Sequence, residues 1–311
     1  MKRKVVQQGP ATLMVSLPSK WVKQNNIHKG DLIEVTENND TLVLGKTPTE
    51  RLRHIEIRIK DFDTYMSECI SRPYEAGFDE MVVSFDDPRV INKIKRTVDF
   101  FLGFDIVEQG PHHCVLKNIA QDSAQDLPRY VNKTYMSVIN LAQNVFDKIS
   151  KADYEHLEEL ASTQRMVQKF CHLCLRIINK HAGEISGSNT YEATKLYVML
   201  SNIYMIGDIF SRMCKDINKV GRHRFSLEAL AIFKKLVELL ERSYHLYSGK
   251  HSQDELYSFT QELATLGLKG IKVLGKGNVH DSVLARRLFS LRSMMYPLAQ
   301  NLYWPESNIL E

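Results

Sequence analysis

No apolar run in this chain approaches the ~20 residues that a membrane-spanning helix needs. The reading is therefore a protein that does not insert into a membrane. The first residues offer no hydrophobic signal core either: after Lys2, Arg3 and Lys4 come Gln7, Gln8, Gly9 and Pro10. A cytoplasmic location is the expectation. Cysteine is sparse and odd in number, with five residues at 69, 114, 171, 174 and 214, which is not a disulfide framework. Cys171-His172-Leu173-Cys174 has CxxC spacing but no second CxxC beside it. Its neighbours Phe170, Leu175, Ile177 and Ile178 make it part of a buried helical stretch, so packing is expected there and not a metal or redox site. His112-His113-Cys114 likewise lacks regular ligand spacing. There is no glycine-rich phosphate loop, no paired catalytic acids and no nucleophile–base motif, so an enzyme is not expected.

Acidic residues are missing from one place in particular. The first thirty positions carry six lysines and arginines and no aspartate or glutamate. Residues 1–53 hold nine basic against five acidic side chains, whereas the remaining 258 hold 32 of each. Positive charge confined to one end implies a polyanion engaged by that end.

Three textures follow one another along the 311 residues. Residues 1–48 predict strands and one short helix: Lys4–Gln7 and Thr12–Leu17 about a Gly9-Pro10 turn, a helix over Lys20–Asn25 capped by Ser19, then a hairpin of Leu32–Thr36 and Leu42–Leu44 linked by Asn38–Thr41. Such a piece is too small to bury a core alone, so two copies are expected to complete one another as a homodimer. Residues 49–122 alternate strand and helix: strands over Ile55–Ile59, Met81–Phe85, Phe104–Glu108 and Cys114–Leu116, with helices over Phe62–Ala76 and from Pro88 through Phe101. Arg51 and Arg53 are expected to serve the linker.

Residues 123–311 lose all strand signals. Helical periodicity predicts six helices near 127–150, 154–182, 189–219, 226–248, 253–274 and 280–302, joined by short breakers as in an antiparallel bundle. Leu196, Leu200, Ile203, Ile206 and Phe210 recur as Leu284, Leu288, Leu291, Met294 and Leu298, all offset by 88 positions. That supports two three-helix halves. The fold class expected is a multidomain α+β protein ending in an all-α bundle.

The candidate binding residues are cationic. Lys2, Arg3 and Lys4 lie on the leading strand, while Lys20 and Lys23, three apart, share a face of the short helix beside Trp21. Two chains supply about ten such groups, enough to neutralise a useful number of DNA phosphates. Trp21 is expected to pack, and Gly9 and Gly30 to serve turns.

Arg3-Lys4-Val5, Gly9, Val15-Ser16-Leu17-Pro18-Ser19-Lys20-Trp21 and Gly30-Asp31-Leu32-Ile33-Glu34-Val35 together make the first 48 residues resemble the AbrB/SpoVT-type swapped-hairpin DNA-binding domain. The resemblance implies an intertwined dimer presenting basic side chains to DNA. Pro10-Ala11-Thr12 stands where many relatives place an arginine. The helical part resembles PhoU, a phosphate-signalling regulator of two three-helix repeats, through Leu200-Ser201-Asn202-Ile203-Tyr204-Met205-Ile206-Gly207-Asp208. The whole layout is similar to an archaeal fusion of the two, which implies a DNA-binding regulator of phosphate uptake. Its body would answer to a phosphate-transporter component or another phosphate-signalling protein. The alternative is a PhoU-type adaptor that regulates a phosphate transporter by protein contact, without DNA. An antitoxin-like role fits the head but leaves the long body unused.

PhoU proteins often hold multinuclear metal through acids four residues apart. Here Tyr204 stands one turn before Asp208, Tyr296 occupies the matching place in the sixth helix, and Gln164, Met166 and Gln168 stand in the second. Asp208 is the one candidate ligand left, and no metal or other cofactor is expected.

Overall fold

The computed structural model describes residues 2–38, 41–46, 53–60, 66–155, 157–182, 191–220, 223–249, 252–274 and 279–302. Chain contacts divide it into two compact units, Met1–Leu52 and Arg53–Glu311.

Among its described residues the first unit holds two separate two-stranded sheets and one short helix. Strands β1 (Val5–Gln7) and β2 (Leu13–Val15) pair antiparallel with Val5 opposite Val15 and Gln7 opposite Leu13. Both are shorter than the sequence suggests. The turn between them needs Gly9, whose φ of +87° costs an L side chain about 1–2 kcal/mol. Helix α1 spans Ser19–Gln24. Ser19 is not its cap: the helix already includes it, Pro18 occupies the cap position in extended geometry, and no side chain bonds there. Proline presets the entry, and its carbonyl accepts from the Val22 amide at 2.9 Å. The helix closes as the Asn25 side chain donates to the Trp21 carbonyl at 2.9 Å and Asn26 turns left-handed at φ +49°. Strands β3 (Ile33–Asn38) and β4 (Thr41–Lys46) then pair antiparallel, Val35 opposite Leu44. The middle of their connection, residues 39–40, lies outside the described residues.

The second unit begins with a four-stranded mixed sheet, β5 (His54–Ile59), β6 (Glu80–Phe85), β7 (Phe104–Gln109) and β8 (His113–Asn118), in spatial order β5-β6-β8-β7. β5 and β6 are parallel, as their connection through helix α2 (Met66–Glu75) requires; the other neighbours are antiparallel. Positions 62–65 of the expected helix lie outside the described residues. Helix α3 covers Val90–Val98 and stops three residues before the expected end at Phe101. Period-two alternation sends Met81, Val83 and Phe85 inward, where they meet Met66, Ile70 and Tyr74 of α2 and Val90 and Ile94 of α3.

Among the described residues six helices follow: α4 (Leu127–Ser150), α5 (Leu157–Lys180), α6 (Tyr191–Val220), α7 (Leu227–Ser248), α8 (Gln253–Leu274) and α9 (Val279–Leu302). The connections at 183–190 and 275–278 lie outside the described residues. One hydrophobic core runs through all six, and the positions offset by 88 line it: Leu200, Ile203, Ile206, Phe210, Leu284, Leu288, Leu291 and Leu298 are buried, with Leu196 and Met294 packed at its edge. Ser226 caps α7 by accepting from the Ala229 amide at 3.2 Å.

The sheet and the helices fall in one unit because α2 packs on α5 and buried charge joins them. Arg176 of α5 is wholly buried. It donates to Asp122 at 2.8 Å, Asp79 at 2.6 Å and the carbonyls of Tyr74 and Phe78 at 3.2 and 2.6 Å. Lys180, one turn on, reaches Asp79 at 2.8 Å, and His172, one turn back, meets buried Glu75 at 2.7 Å. Arg53 is not a free linker side chain. Its guanidinium bonds the Ala76 carbonyl and lies 4.8 Å over the Phe78 ring.

Candidate nucleic-acid interface

The five candidate cations all project from the first unit as exposed side chains. β1 carries the chain from Lys4 into the hairpin, and β2 returns it to Ser16. There Arg3 donates to the Ser16 hydroxyl at 3.3 Å. Ser16 stands three residues before α1, which carries Lys20 and Lys23. The basic leading segment and the basic helix thus sit at the two ends of one short connection. The ion pair described within this unit is His28 with Asp31 at 3.9 Å, and Asp31 also accepts the His28 amide at 2.8 Å. That acid closes the Gly30 turn and leaves the five cations to solvent. Trp21 is half-buried within the single chain.

What the unit lacks is an interior. Among its described residues none is buried. Eight large apolar side chains are exposed: Val5, Val6, Leu13, Met14, Val15, Leu32, Val35 and Leu42, with Leu13 at 70% and Leu32 at 85%. Val5 and Val6 point to opposite faces of β1, so both faces of the hairpin present apolar surface. Burying a side chain of this size is worth about 1.5–3 kcal/mol. A fold of this length that leaves all eight in water has little to offset the entropy of ordering its chain.

In the second unit Asp208 is half-buried on α6 and paired with Arg212 one turn on, at 2.7 Å. Tyr204, one turn before it, receives a hydrogen bond from Gln168 of α5 at 3.1 Å. Among the described residues no group of three His, Cys, Asp or Glu side chains is placed to hold a metal ion. Cys171 and Cys174 are buried; Cys171 donates to the Leu200 carbonyl at 3.6 Å. Burial pushes the Cys171 thiol well up and the Cys174 thiol to about 12, so neither is a ready nucleophile or ligand. No described helix is long and apolar enough to cross a membrane.

Two features gave no sequence signal. The Arg176 network joins residues 54 to 102 positions apart, and its only trace is a basic residue within the apolar stretch Leu173–Ile178. The second is a cationic groove between α5 and α6, lined by Arg165, Lys215 and Lys219.

Comparison with known proteins agrees with the head. No curated protein and no solved structure matches the chain. Residues 6–52 match the family model described as antidote-toxin recognition MazE, bacterial antitoxin, and that match ends where the first compact unit does.

Proposed function

We propose that this chain is a cytoplasmic DNA-binding regulator whose N-terminal head works as a homodimer, and that its helical body reports phosphate status to that head. The observation that carries the reading is the pairing, in one 52-residue unit, of five exposed cations with an apolar surface that has no core of its own among the described residues. A second copy completes the fold, and completion doubles the charge. The match of residues 6–52 to the MazE model agrees with such a head. Lys2, Arg3 and Lys4 with Lys20 and Lys23 are assigned to phosphate contacts, which position a protein on DNA without reading its sequence. The two-fold pair favours a roughly symmetric site.

The phosphate part of the reading rests on the PhoU resemblance of Leu200–Asp208 and on the layout of six long helices. It names a phosphate-transporter component or phosphate-signalling protein as the body's partner. No catalytic step, metal or cofactor is assigned.

Fluorescence anisotropy with promoter DNA across a salt series tests the head. With six to ten phosphate contacts, affinity falls by about 10³–10⁵ between 50 and 200 mM salt. Replacing Lys2, Arg3, Lys4, Lys20 and Lys23 together by Ala abolishes binding while sedimentation still shows a dimer. An unchanged salt slope in that variant sinks the site assignment. A wild-type dimer that ignores DNA leaves the adaptor as the better account.

A further inference from the structure

On the face where α5 and α6 run side by side lies a groove of about 680 Å3. Arg165 of α5 and Lys215 and Lys219 of α6 line it. All three are exposed, and among the described residues none is held in an ion pair. Lys215 and Lys219 are one turn apart, a like-charge spacing that costs a helix a few tenths of a kcal/mol. The acid on the wall, Asp208, is already held by Arg212 at 2.7 Å.

A second observation comes from the floor. Gln164 also lines the groove, is 5% exposed, and its Nε2 has no hydrogen-bond partner. A buried unmatched amide donor is a cost that native proteins seldom leave without a use. The position is forced by packing: Gly207 lets the helices close together, and a Cβ there would stand 3.2 Å from Val167 and 3.5 Å from Gln164. Gln168, one turn away on the same wall, has found its partner in Tyr204. Set with its nitrogen at the unpartnered position, the Gln164 amide offers the groove a donor.

Three unspent cations above one buried unspent donor are complementary to an anion with several acceptor oxygens. We propose that this groove binds a phosphoryl group. Arg165 offers a planar fork to two of its oxygens, Lys215 and Lys219 act as point charges, and Gln164 supplies a neutral donor from below. The volume lies within the range of small-molecule sites and exceeds the needs of one phosphate ion. Phe100, from the turn between α3 and β7, forms a further wall on which an aromatic base would lie flat. The phosphoryl group is therefore that of inorganic phosphate or of a nucleotide. Because Phe100 belongs to the sheet layer, an occupant touches that layer and the bundle at once. The proposal does not need the head to bind DNA.

Equilibrium dialysis of the full chain against radiolabelled orthophosphate, and separately against ATP and sulfate, decides it. The expected result is saturable binding of one phosphoryl ligand per chain, with ATP ahead of orthophosphate if the source is a nucleotide. Arg165→Glu and Lys215→Glu each weaken it by on the order of tenfold, about 1.4 kcal/mol. Gln164→Leu weakens it several-fold, and Lys234→Glu, on an exposed face outside the groove, changes nothing. The reversed residues are exposed, so unchanged melting and circular dichroism show that the fold survives. Absence of saturable binding at millimolar ligand overturns the proposal. So does sulfate binding as well as the phosphoryl ligands, or Lys234→Glu weakening binding as much as the groove variants. DNA is not in the assay, so its failure and that of the regulator reading are separate events.

Discussion

Replacing Arg176 by Met tests how firmly the sheet layer is tied to the helical bundle. The guanidinium is wholly buried and makes four hydrogen bonds, two to carboxylates and two to carbonyls. It also lies 5.2 Å from the Tyr74 ring centre and 5.1 Å from that of Phe104, so the apolar stem of Met fills much of the same space. What is lost is charge. Asp122 keeps Lys180 at 3.4 Å and the Asn118 amide at 3.2 Å; Asp79 keeps Lys180 at 2.8 Å and the Arg53 amide at 3.2 Å. Removing one partner of a buried pair costs ~3–5 kcal/mol, and the retained Lys180 places this case near the lower bound, about 3 kcal/mol. Arg176→Lys keeps a charge but not the fork that serves four acceptors, so it falls between wild type and Met. Urea unfolding of the full chain, followed by circular dichroism, gives the loss. Hydrogen exchange locates it, with amides of β6 and β8 released ahead of those in α4. A loss under about 1 kcal/mol, the worth of an exposed pair, would refute the view that this network joins the layers.

The same network predicts an acid limit. Burial alone would raise the Asp79 carboxyl, but the hydrogen bond from Lys180, the Arg53 amide and the charges of Lys180 and Arg176 outweigh it and hold it below its ordinary 3.8. A group lowered on folding contributes stability that is full above its unfolded value and is lost as pH falls through its folded one. Asp216, lowered by Arg287 and Arg286 against its own burial, behaves alike. Melting temperature is therefore expected to lose these contributions only below about pH 4, and Asp79→Asn to flatten the acid slope; a slope unchanged in that variant speaks against the assignment. Thiol reactivity supplies a separate check. Burial pushes Cys114 to about 11 and Cys174 and Cys214 to about 12, with Cys171 raised as well, while Cys69 is exposed. A thiol reagent should label Cys69 promptly in the native protein and the other four only on unfolding. Prompt release of two equivalents from a Cys171→Ser-sensitive pair would reinstate a reactive CxxC.

Local pattern carried much of this fold into view. Alternation in Met81–Phe85 and the recurrence of apolar residues from Leu127 onward are consequences of one or two turns of chain, and a sequence shows them directly. Ser19 misled because serine before a basic helix is a common cap, whereas Pro18 had already set the entry. The charges that join the layers were illegible for a different reason. Asp79, Asp122 and Arg176 acquire meaning only when segments 54 or more positions apart meet, and nothing local marks them as partners. At the site, the exposed cations of the head could be listed from charge alone. Gln164 could not be read: as a residue it is a missing acid, and only folding shows it to be a buried donor without a mate.

The two sets of helices share what packing demands and little else. Position for position, Leu200 and Leu288, Ile203 and Leu291, Phe210 and Leu298 fill the same core roles 88 residues apart. Outside the core the correspondence fails. Where α6 presents Asp208 paired with Arg212, α9 places Tyr296, whose ring lies 5.3 Å from the Arg292 guanidinium. The groove beside α6 is lined by Arg165, Lys215, Lys219 and two glutamine amides around a single acid, whereas the groove of about 860 Å3 between α7 and α8 exposes more apolar surface, from Ala231, Ile232, Tyr257 and Leu266, and sets its lysines beside Glu228 and Glu262. Buried positions are held by volume and cannot diverge freely without creating cavities or strain. Surfaces are released from that constraint, so a difference between otherwise matching surfaces carries more functional information than the shared core. The body's ligand and its partner are accordingly to be sought on these unlike faces, among them the exposed turns of α6 that carry Lys215 and Lys219, and not at the core positions that the two sets share.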